Sequence, residues 1–228
     1  MVKVIKLYKN FNINGLHKNA IILIGNFDGL HLGHQKLFAQ AKKFKKKYSY
    51  KIGVLNFEPM PKMYFNPKLK NFRISSHQQK IKQFIKLGVD FVITKKFNKE
   101  FSKTKSKTFI KNILGKKIQP KFIFVSNNFK FGNKREGDVK QLIKFESEYN
   151  YKIIKPKPLR INKKIVSSSL IRNYLQKGKL KIANKFLNKK WCIEGKIQKG
   201  KQLGKKIGFP TANIDIKEYV LASPGVYA

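Results

Sequence analysis

Short apolar runs alternate with helix-like stretches from residue 20 to about residue 155, and this alternation restricts the fold more than any other feature. The apolar runs predict strands at 20–25, 51–57, 89–94, 121–126 and 151–155. Helical patterns lie between them, near 33–47, 75–87, 105–114 and 137–149. This order is typical of a parallel sheet with helices on both faces, so we expect an α/β fold.

The stretch GNFDGLHLGH at residues 25–34 directly follows the first apolar run. It therefore lies at the carboxyl end of a strand, where parallel sheets bind ligands. His31 and His34 are three residues apart and share one face of a helical turn, while Gly33 allows close backbone approach. Free N–H groups at the helix start favour anions, so the pattern predicts a triphosphate site. Two structural histidines bonded to backbone carbonyls are the alternative.

A second polar motif, SSSLIR, occupies residues 167–172. Serine hydroxyls at a predicted helix start can cap the helix or bind phosphate oxygens. Arg172 follows one turn later, where a guanidinium group can bind a phosphate through two hydrogen bonds. An ordinary N-cap explains one serine well and three serines less well, so this motif by itself leaves helix capping and phosphate binding equally open.

The pattern changes at Trp191, where short apolar runs separated by glycines predict the first strands of a β-barrel or sandwich. We therefore expect two domains, at 1–187 and 188–228. About 40 residues are too few to bury a core of their own, so the second domain is expected to be incomplete. The glycine-rich part, which includes Gly204 and Gly208, suits a loop around phosphates or a simple hairpin.

The chain is strongly basic, with 52 lysines and arginines against 11 acidic residues and a formal net charge of +41. Such a charge suggests a polyanionic partner such as nucleic acid. However, only four of these cations are arginines, and the lysines are spread along the whole chain. We interpret them as solvated lysine faces that reflect an AT-rich coding sequence, and we expect no specific nucleic-acid site.

Cysteine content and hydropathy indicate the cellular compartment of the protein. Cys192 is the single cysteine, so no intrachain disulfide is possible. Lysines interrupt the N-terminal apolar residues, and no apolar run approaches the roughly 20 residues that a membrane span needs. We expect a cytoplasmic protein without a membrane partner and leave its oligomeric state open.

The motifs together resemble a known family. GNFDGLHLGH followed by SSSLIR resembles the nucleotidylyltransferase superfamily, with its HxGH and distal Ser/Thr-x-x-Arg motifs. The stretches NFEPMPKMYF (56–65), LGVDFVITKKFNKEFS (87–102) and FKFGNKREGD (129–138) resemble the FAD synthetase module of prokaryotic bifunctional riboflavin kinase/FAD synthetases. GKKIGFPTANI (204–214) and PGVYA (224–228) resemble the start of that family's riboflavin kinase module. The resemblance implies a Rossmann-like nucleotidylyltransferase domain followed by the start of a β-barrel riboflavin kinase domain.

The resemblance also implies a reaction and residues that support it. FMN would attack ATP to give FAD and pyrophosphate with Mg²⁺ present, and the parent protein would also phosphorylate riboflavin to FMN. His31, His34 and Arg172 would be catalytic. The implied ATP-binding residues are Gly25, Asn26, Phe27, Asp28, Gly29, Gly33, Ser167, Ser168 and Ser169. Substrates would thus be the small molecules ATP, FMN and riboflavin.

For the flavin and the kinase module, the resemblance implies further residues. Asn128 and Phe129 would bind the flavin, although Ser126 and Asn128 stand where the family usually has glycine and an acidic residue. The implied kinase residues for ATP and Mg²⁺ are Gly204, Gly208, Thr211 and Asn213, with Thr211 and Asn213 as metal contacts. The family's kinase base, a glutamate, would lie beyond residue 228, so this sequence is expected not to phosphorylate riboflavin.

Two other functions remain open at this point. One is a nucleotidylyltransferase that uses a different small acceptor, which the GFPTAN stretch disfavours. The other is a lysine-rich nucleic-acid-binding protein, which leaves the joint occurrence of HLGH and SSSLIR without a reason.

Overall fold

A six-stranded parallel sheet forms the centre of the computed structural model, which describes residues 5–198, 208, 212–216 and 218–225. The strands are β1 (Lys6–Tyr8), β2 (Ile21–Ile24), β3 (Ile52–Glu58), β4 (Phe91–Lys96), β5 (Phe122–Phe124) and β8 (Lys152–Ile154). Their spatial order is β1-β4-β3-β2-β5-β8, and all neighbours run parallel. The predicted α/β fold is confirmed, with the Rossmann-like reversal of strand order at β2.

Among the described residues, three antiparallel pairs lie outside this sheet, and helices fill the connections. The pairs are β6 (Lys130–Phe131) with β7 (Gly137–Asp138), β9 (Arg160–Ile161) with β10 (Lys164–Ile165), and β11 (Ile197–Gln198) with β12 (Asn213–Ile214). The helices are α1 (Leu32–Tyr48), α2 (Pro61–Phe65), α3 (His77–Lys86), α4 (Lys99–Ser102), α5 (Ser106–Thr108, continued as a π-helix over Phe109–Ile118), α6 (Val139–Lys144), α7 (Ser168–Gln176) and α8 (Leu180–Leu187).

Alternate residues of the central strands pack on opposite faces of the sheet. Ile21 and Leu23 of β2 join one core with Phe38 of α1 and Phe84 of α3. Ile22 and Ile24 join the other core, which contains the buried apolar residues of the π-helix at 109–118. Because both faces are covered, these strands are continuous apolar runs without polar alternation. This burial explains why the sequence predicts them well.

Helix α3 shows how local residues set the bounds of an element. The Ser76 hydroxyl accepts a hydrogen bond from the Gln79 backbone N–H, and the Gln79 side chain accepts one from the Ser76 N–H. This reciprocal capping satisfies two N–H groups that the helix leaves without partners. Gly88 follows the helix at φ +73°, a conformation that glycine adopts at little cost.

The structure corrects several predicted elements. Strand β1 was not predicted, because its three residues form a short edge strand that includes a lysine. The helix predicted at 137–149 is wrong beyond Lys144, since the Glu146 carboxylate instead accepts a hydrogen bond from the Ile153 N–H and turns the chain into β8. The helix predicted at 105–114 extends to Ile118, whose side chain is fully buried.

A third apolar cluster joins the end of the chain to the main body. Ile74, Val166, Leu187 and Val220 are among its buried members. The Arg73 N–H donates to the Glu218 carbonyl at 2.8 Å, and the Val220 N–H donates to the Arg73 carbonyl at 2.8 Å. Residues 218–220 therefore pair with the loop at 71–74, which also contacts the candidate site.

The antiparallel pair β11–β12 agrees with the predicted first strands of a β-barrel. The sequence GVYA at 225–228 is also typical of a strand. Gly225 lies in a bend with Pro224, and residues 226–228 lie outside the described part of the chain. None of the helices in the described residues is long and apolar enough to cross a membrane.

Candidate active site

The connection from β2 to α1 forms one wall of the candidate site. After β2 the chain passes through Gly25 and Asn26 to Phe27, which adopts a left-handed conformation at φ 49°, and then a single 3₁₀ turn over Asp28–Leu30. The Phe27 ring is buried against Phe38 and contacts the His34 ring edge to face at 5.1 Å. Phe27 therefore packs the turn against the apolar core. The turn places the start of α1 at the carboxyl edge of the sheet.

His31 and His34 form a stacked pair at the start of α1. Their ring centroids lie 3.7 Å apart with an interplanar angle of 20°. His31 Nδ1 caps the helix by accepting a hydrogen bond from the His34 backbone N–H at 3.3 Å. Because Nδ1 accepts, the ring proton of neutral His31 lies on Nε2.

Both histidines are held neutral by their surroundings. Burial, with a smaller effect of the Arg172 charge, lowers the pKa of His31 to about 4. Burial also lowers the pKa of His34 well below its ordinary value, with smaller effects from His31 and Lys189. His34 Nδ1 has no hydrogen-bond partner among the described residues. The pair can therefore donate hydrogen bonds without carrying a charge at neutral pH.

Gly33 lies where a second segment approaches the helix start. A Cβ atom at this position would lie 3.1 Å from the His31 ring and 3.3 Å from the Val166 carbonyl oxygen. Both contacts are tighter than ordinary van der Waals contact. The glycine of HLGH therefore allows the segment before α7 to pack directly on the helix start.

Asp28 and Arg172 join the two motifs. Arg172 Nη2 lies 2.7 Å from Asp28 Oδ2, and the Asp28 carboxylate also accepts hydrogen bonds from the Ile74 and Ser75 N–H groups. The Arg172 Nε donates to the Phe72 carbonyl at 2.8 Å, and its guanidinium lies 3.6 Å from the centroid of the Phe72 ring. The structure thus brings together the two predicted motifs around a buried ion pair.

The three serines of SSSLIR have different surroundings. Ser167 is the N-cap of α7 and accepts a hydrogen bond from the Leu170 N–H at 3.2 Å. Ser168 Oγ donates to the Asp28 carbonyl at 2.8 Å, which is a second link between the motifs. Ser169 is exposed. Helix capping thus accounts for the Ser167 hydroxyl, and the bond to the HLGH-containing turn accounts for the Ser168 hydroxyl.

A buried polar cluster behind the turn was not predicted. Lys80 of α3 is fully buried, and its Nζ lies 3.4 Å from the Asn26 carbonyl and 4.0 Å from Glu58 Oε2. Glu58 also pairs with both Nη atoms of Arg73. Burial lowers the pKa of Lys80. Apolar periodicity could not predict this buried cluster, because a lysine in a helix is normally expected to be exposed.

An aromatic cavity of about 670 Å³ lies at the same edge of the sheet. Its lining residues lie at the end of β3 and in the connections that follow β3, β4 and β5. Its walls are mainly the rings of Phe57, Phe65, Phe97, Phe101, Phe109, Phe129 and Phe131, and its polar lining includes Lys62, Lys130, Lys134 and Arg135. Phe129 was predicted as a flavin contact, while Asn128 is exposed and not among the lining residues.

The other rings of the cavity were not predicted as site residues, although the sequence contains a pattern that could have indicated them. Phe57, Pro61 and Phe65 all belong to NFEPMPKMYF, which was used for the resemblance but not as part of a site. Several aromatic residues directly after a buried strand could have indicated a cavity at the carboxyl edge.

The predicted kinase residues fall only partly within the described chain. Gly208 is exposed with φ +82°, and Asn213 is exposed in β12. Gly204 and Thr211 lie outside the described residues. Across the part of the chain that the structure describes, no three His, Cys, Asp or Glu side chains gather into a metal site.

Comparisons with known proteins agree with this geometry. A family model described as FAD synthetase matches residues 13–170, and one described as riboflavin kinase matches residues 187–228. A bifunctional riboflavin kinase/FMN adenylyltransferase from Buchnera aphidicola subsp. Schizaphis graminum is 38% identical, covering 95% of this chain and 70% of the relative. The protein of the same name from Escherichia coli K12 is 32% identical, covering 95% and 71%.

A solved structure shares the fold. It is named as a macrolide-efflux protein from Streptococcus pneumoniae, and it matches with a TM-score of 0.82 at 26% identity. The match covers 97% of this chain and 72% of that chain. The whole described architecture, including the segment after α8, is therefore similar to a known arrangement.

Proposed function

This chain belongs to the family of bifunctional riboflavin kinase/FMN adenylyltransferases and is an FMN adenylyltransferase, and we propose that the paired HLGH and SSSLIR motifs perform the transfer. The reaction joins AMP from ATP to FMN and releases pyrophosphate. The observation that carries the proposal is the stacked pair His31–His34 at the start of α1, at the sheet edge that also holds the aromatic cavity.

We assign the adenylyl transfer to residues 1–187 and the beginning of a riboflavin kinase domain to residues 188–228. The adjacent matches to the two family models support this division. Within the second segment, Gly204, Gly208, Thr211 and Asn213 are proposed to contact the kinase nucleotide and its metal ion. The exposed positions of Gly208 and Asn213 leave both open to a ligand.

ATP is proposed to bind with its phosphates at the start of α1. A helix start presents free N–H groups and a partial positive charge, both of which favour phosphate. His31 Nε2–H adds a neutral donor whose orientation is set by the helix cap at Nδ1. Gly25, Asn26, Asp28, Gly29 and Gly33 shape this wall, and Phe27 supports it from the core.

The SSSLIR motif forms the opposite wall in this proposal. Ser168 and Arg172 are held against Asp28, so the second wall has a defined position relative to the first. Ser169 is exposed and Ser167 caps α7, which leaves a hydroxyl and a helix start available to phosphate. Arg172 is proposed to stabilise phosphate charge while Asp28 holds its guanidinium.

The aromatic cavity is proposed to bind the flavin ring of FMN. Its rings suit a planar heterocycle, since aromatic pairs gain energy beyond the area that they bury. Phe129 lines the cavity, and the basic side chains of Lys130, Lys134 and Arg135 suit the phosphate of FMN. Asn128 is proposed to contact the flavin or its ribityl chain from the exposed loop that precedes Phe129.

In-line attack then needs no covalent enzyme intermediate. An FMN phosphate oxygen forms a bond to the α-phosphorus of ATP, and the bond from that phosphorus to the pyrophosphate oxygen breaks. The protein contributes mainly by positioning both substrates and stabilising the charge that develops. We propose that Mg²⁺ enters on the ATP phosphates, because Mg²⁺ often takes most of its ligands from substrate phosphates and water.

A direct assay tests this function. Purified protein is incubated with FMN, Mg²⁺ and α-labelled ATP, and label in FAD is measured, with other phosphorylated acceptors in parallel. Label in FAD supports the proposal, whereas folded protein that adenylylates another acceptor and not FMN contradicts it. We also propose a cytoplasmic location, supported by the single cysteine and by the nucleotide substrates.

A further inference from the structure

Lys189 lies beside the helix start, although it belongs to the segment that matches the riboflavin kinase model. Helix α8 ends at Leu187, whose carbonyl accepts a hydrogen bond from Gln35 Nε2 at 3.0 Å. The Asn188 side chain donates to Gln35 Oε1 at 3.1 Å. Because Gln35 lies in the first turn of α1, these bonds hold residues 187–188 against the HLGH turn.

The chain is also held on the far side of Lys189. The Trp191 N–H donates to Asn184 Oδ1 at 2.7 Å, and the Trp191 ring N–H donates to the Ile74 carbonyl at 2.9 Å. Ile74 is one of the two residues whose N–H groups bind Asp28. Lys189 therefore lies between two anchors, one on α1 and one on the loop that holds Asp28.

The ammonium group of Lys189 is buried and has no hydrogen-bond partner among the described residues. Two other lysines do have polar partners. Lys80 Nζ lies near the Asn26 carbonyl and the Glu58 carboxylate, and Lys45 pairs with Asp90. A buried ammonium without partners is costly, and in proteins such groups are normally paired.

The surrounding charges leave Lys189 without a full counterion. The Asp28 carboxylate attracts the ammonium group, and the Lys86 ammonium group repels it. The Asp28 carboxylate, however, already binds Arg172 and two backbone N–H groups. Burial lowers the pKa of Lys189 to about 8, which leaves the group mostly protonated at neutral pH.

Lys189 shares its surroundings with the proposed phosphate site. Its charge helps to lower the pKa of His34, whose Nδ1 is also buried and without a partner among the described residues. The start of α1 adds a partial positive charge at the same place. An ammonium group, two neutral imidazoles and a helix start form a donor set that suits a polyphosphate.

We propose that Lys189 binds the β- or γ-phosphate of ATP and stabilises the pyrophosphate that leaves, so that a residue of the kinase-matching segment completes the adenylyl-transfer site. This inference rests on the proposed function. As the bond to the α-phosphorus breaks, negative charge grows on pyrophosphate, and a desolvated ammonium group beside it lowers the barrier. The binding of pyrophosphate also gives the buried ammonium its counterion.

The test compares Lys189→Met, Lys189→Arg and the neighbouring exposed control Lys190→Met. Inorganic pyrophosphate and ATP are titrated by calorimetry, and FAD formation gives kcat and KM. Lys189→Met is expected to weaken pyrophosphate binding by about 10- to 100-fold, the loss expected for one hydrogen bond to a charged group. Lys189→Arg is expected to restore part of the affinity, and Lys190→Met to behave as wild type.

Thermal denaturation separates binding from folding. Without ligand, Lys189→Met is expected to melt at or above the wild-type temperature, because the change removes an unpaired buried charge. With pyrophosphate, its stabilisation is expected to be much smaller than that of wild type. A variant that binds pyrophosphate as tightly as wild type overturns the inference, as does one that melts lower while keeping the full pyrophosphate-dependent rise.

The two proposals can fail separately. If wild type makes no FAD but Lys189→Met still loses pyrophosphate affinity, the FMN adenylyltransferase assignment fails and the phosphate contact stands. If wild type makes FAD and Lys189→Met binds pyrophosphate normally, the function stands and the role of Lys189 is overturned.

Discussion

Arg172 Nη2 lies 2.7 Å from Asp28 Oδ2, and this buried ion pair joins motifs that are 144 residues apart. Asp28 belongs to the turn before the histidines, and Arg172 belongs to α7 on the opposite wall. The same carboxylate binds the N–H groups of Ile74 and Ser75, in the loop that also pairs with residues 218–220. One side chain therefore positions both walls of the site relative to the end of the described chain.

Removing the Asp28 charge is expected to destabilise the protein strongly. Asp28→Asn leaves the largely buried Arg172 without its counterion, and breaking a buried pair typically costs about 3–5 kcal/mol in the free energy of unfolding. Urea denaturation measures this loss. Lys82→Met is the matched control, because it breaks the exposed Lys82–Glu194 pair, which is worth about 0–1 kcal/mol. Equal losses in the two variants would contradict the structural role of Asp28.

Removing the His31 imidazole is expected to slow FAD formation more than it weakens substrate binding. His31→Ala deletes a donor to charge that grows in the transition state, which typically costs about 10²- to 10³-fold in kcat. Steady-state assays with labelled ATP give kcat and the KM for ATP. His17→Ala is the control, since His17 contacts Tyr8 and Phe91 away from the motifs. Wild-type turnover in His31→Ala would assign that ring a structural role only.

Acid is expected to destabilise the folded protein through its buried histidines. Burial lowers the pKa of His31 to about 4 in the folded chain, against 6.5 for an ordinary histidine. Between these values the unfolded chain binds a proton that the folded chain does not. The free energy of unfolding therefore falls as the pH falls through this window, by about 3 kcal/mol from His31.

Urea titrations at about pH 7 and about pH 4.5 test this dependence. His34 acts in the same direction, because burial lowers its pKa as well. His31→Gln is expected to lose less stability than wild type between the two conditions, since it removes one titrating group. An identical loss in both proteins would mean that His31 is not held neutral by burial.

Removing one ring from the aromatic cavity is expected to weaken FMN binding without affecting ATP. Phe129→Ala deletes a ring that lines the cavity and stacks on Phe131 at 5.6 Å. Loss of one aromatic stacking partner is expected to weaken FMN binding by about 10-fold. Quenching of flavin fluorescence measures the FMN affinity. Tyr48→Ala, in a different cavity, is the control, and a change in ATP affinity instead would place the flavin elsewhere.

The sequence predicted much of the central sheet because burial and periodicity coincide there. Strands β2 to β5 and β8 are short apolar runs, and HLGH directly follows one of them. Edge strand β1 and the early end of α6 were not predicted, because a lysine-containing edge strand and a side-chain bond from Glu146 to Ile153 leave no periodic signal. The composition of the chain could not indicate them either.

The candidate site was likewise predicted only in part from the sequence. By itself the sequence determined the order of elements, the two histidines at a helix start and the presence of a second polar motif. Only the tertiary structure decided that Asp28 pairs with Arg172, that rings distant along the chain form one cavity, and that the Lys189 ammonium group lies buried near His34. The reason is physical: parallel strands bring their carboxyl ends to one edge regardless of separation along the chain, while sequence patterns report only neighbours along it.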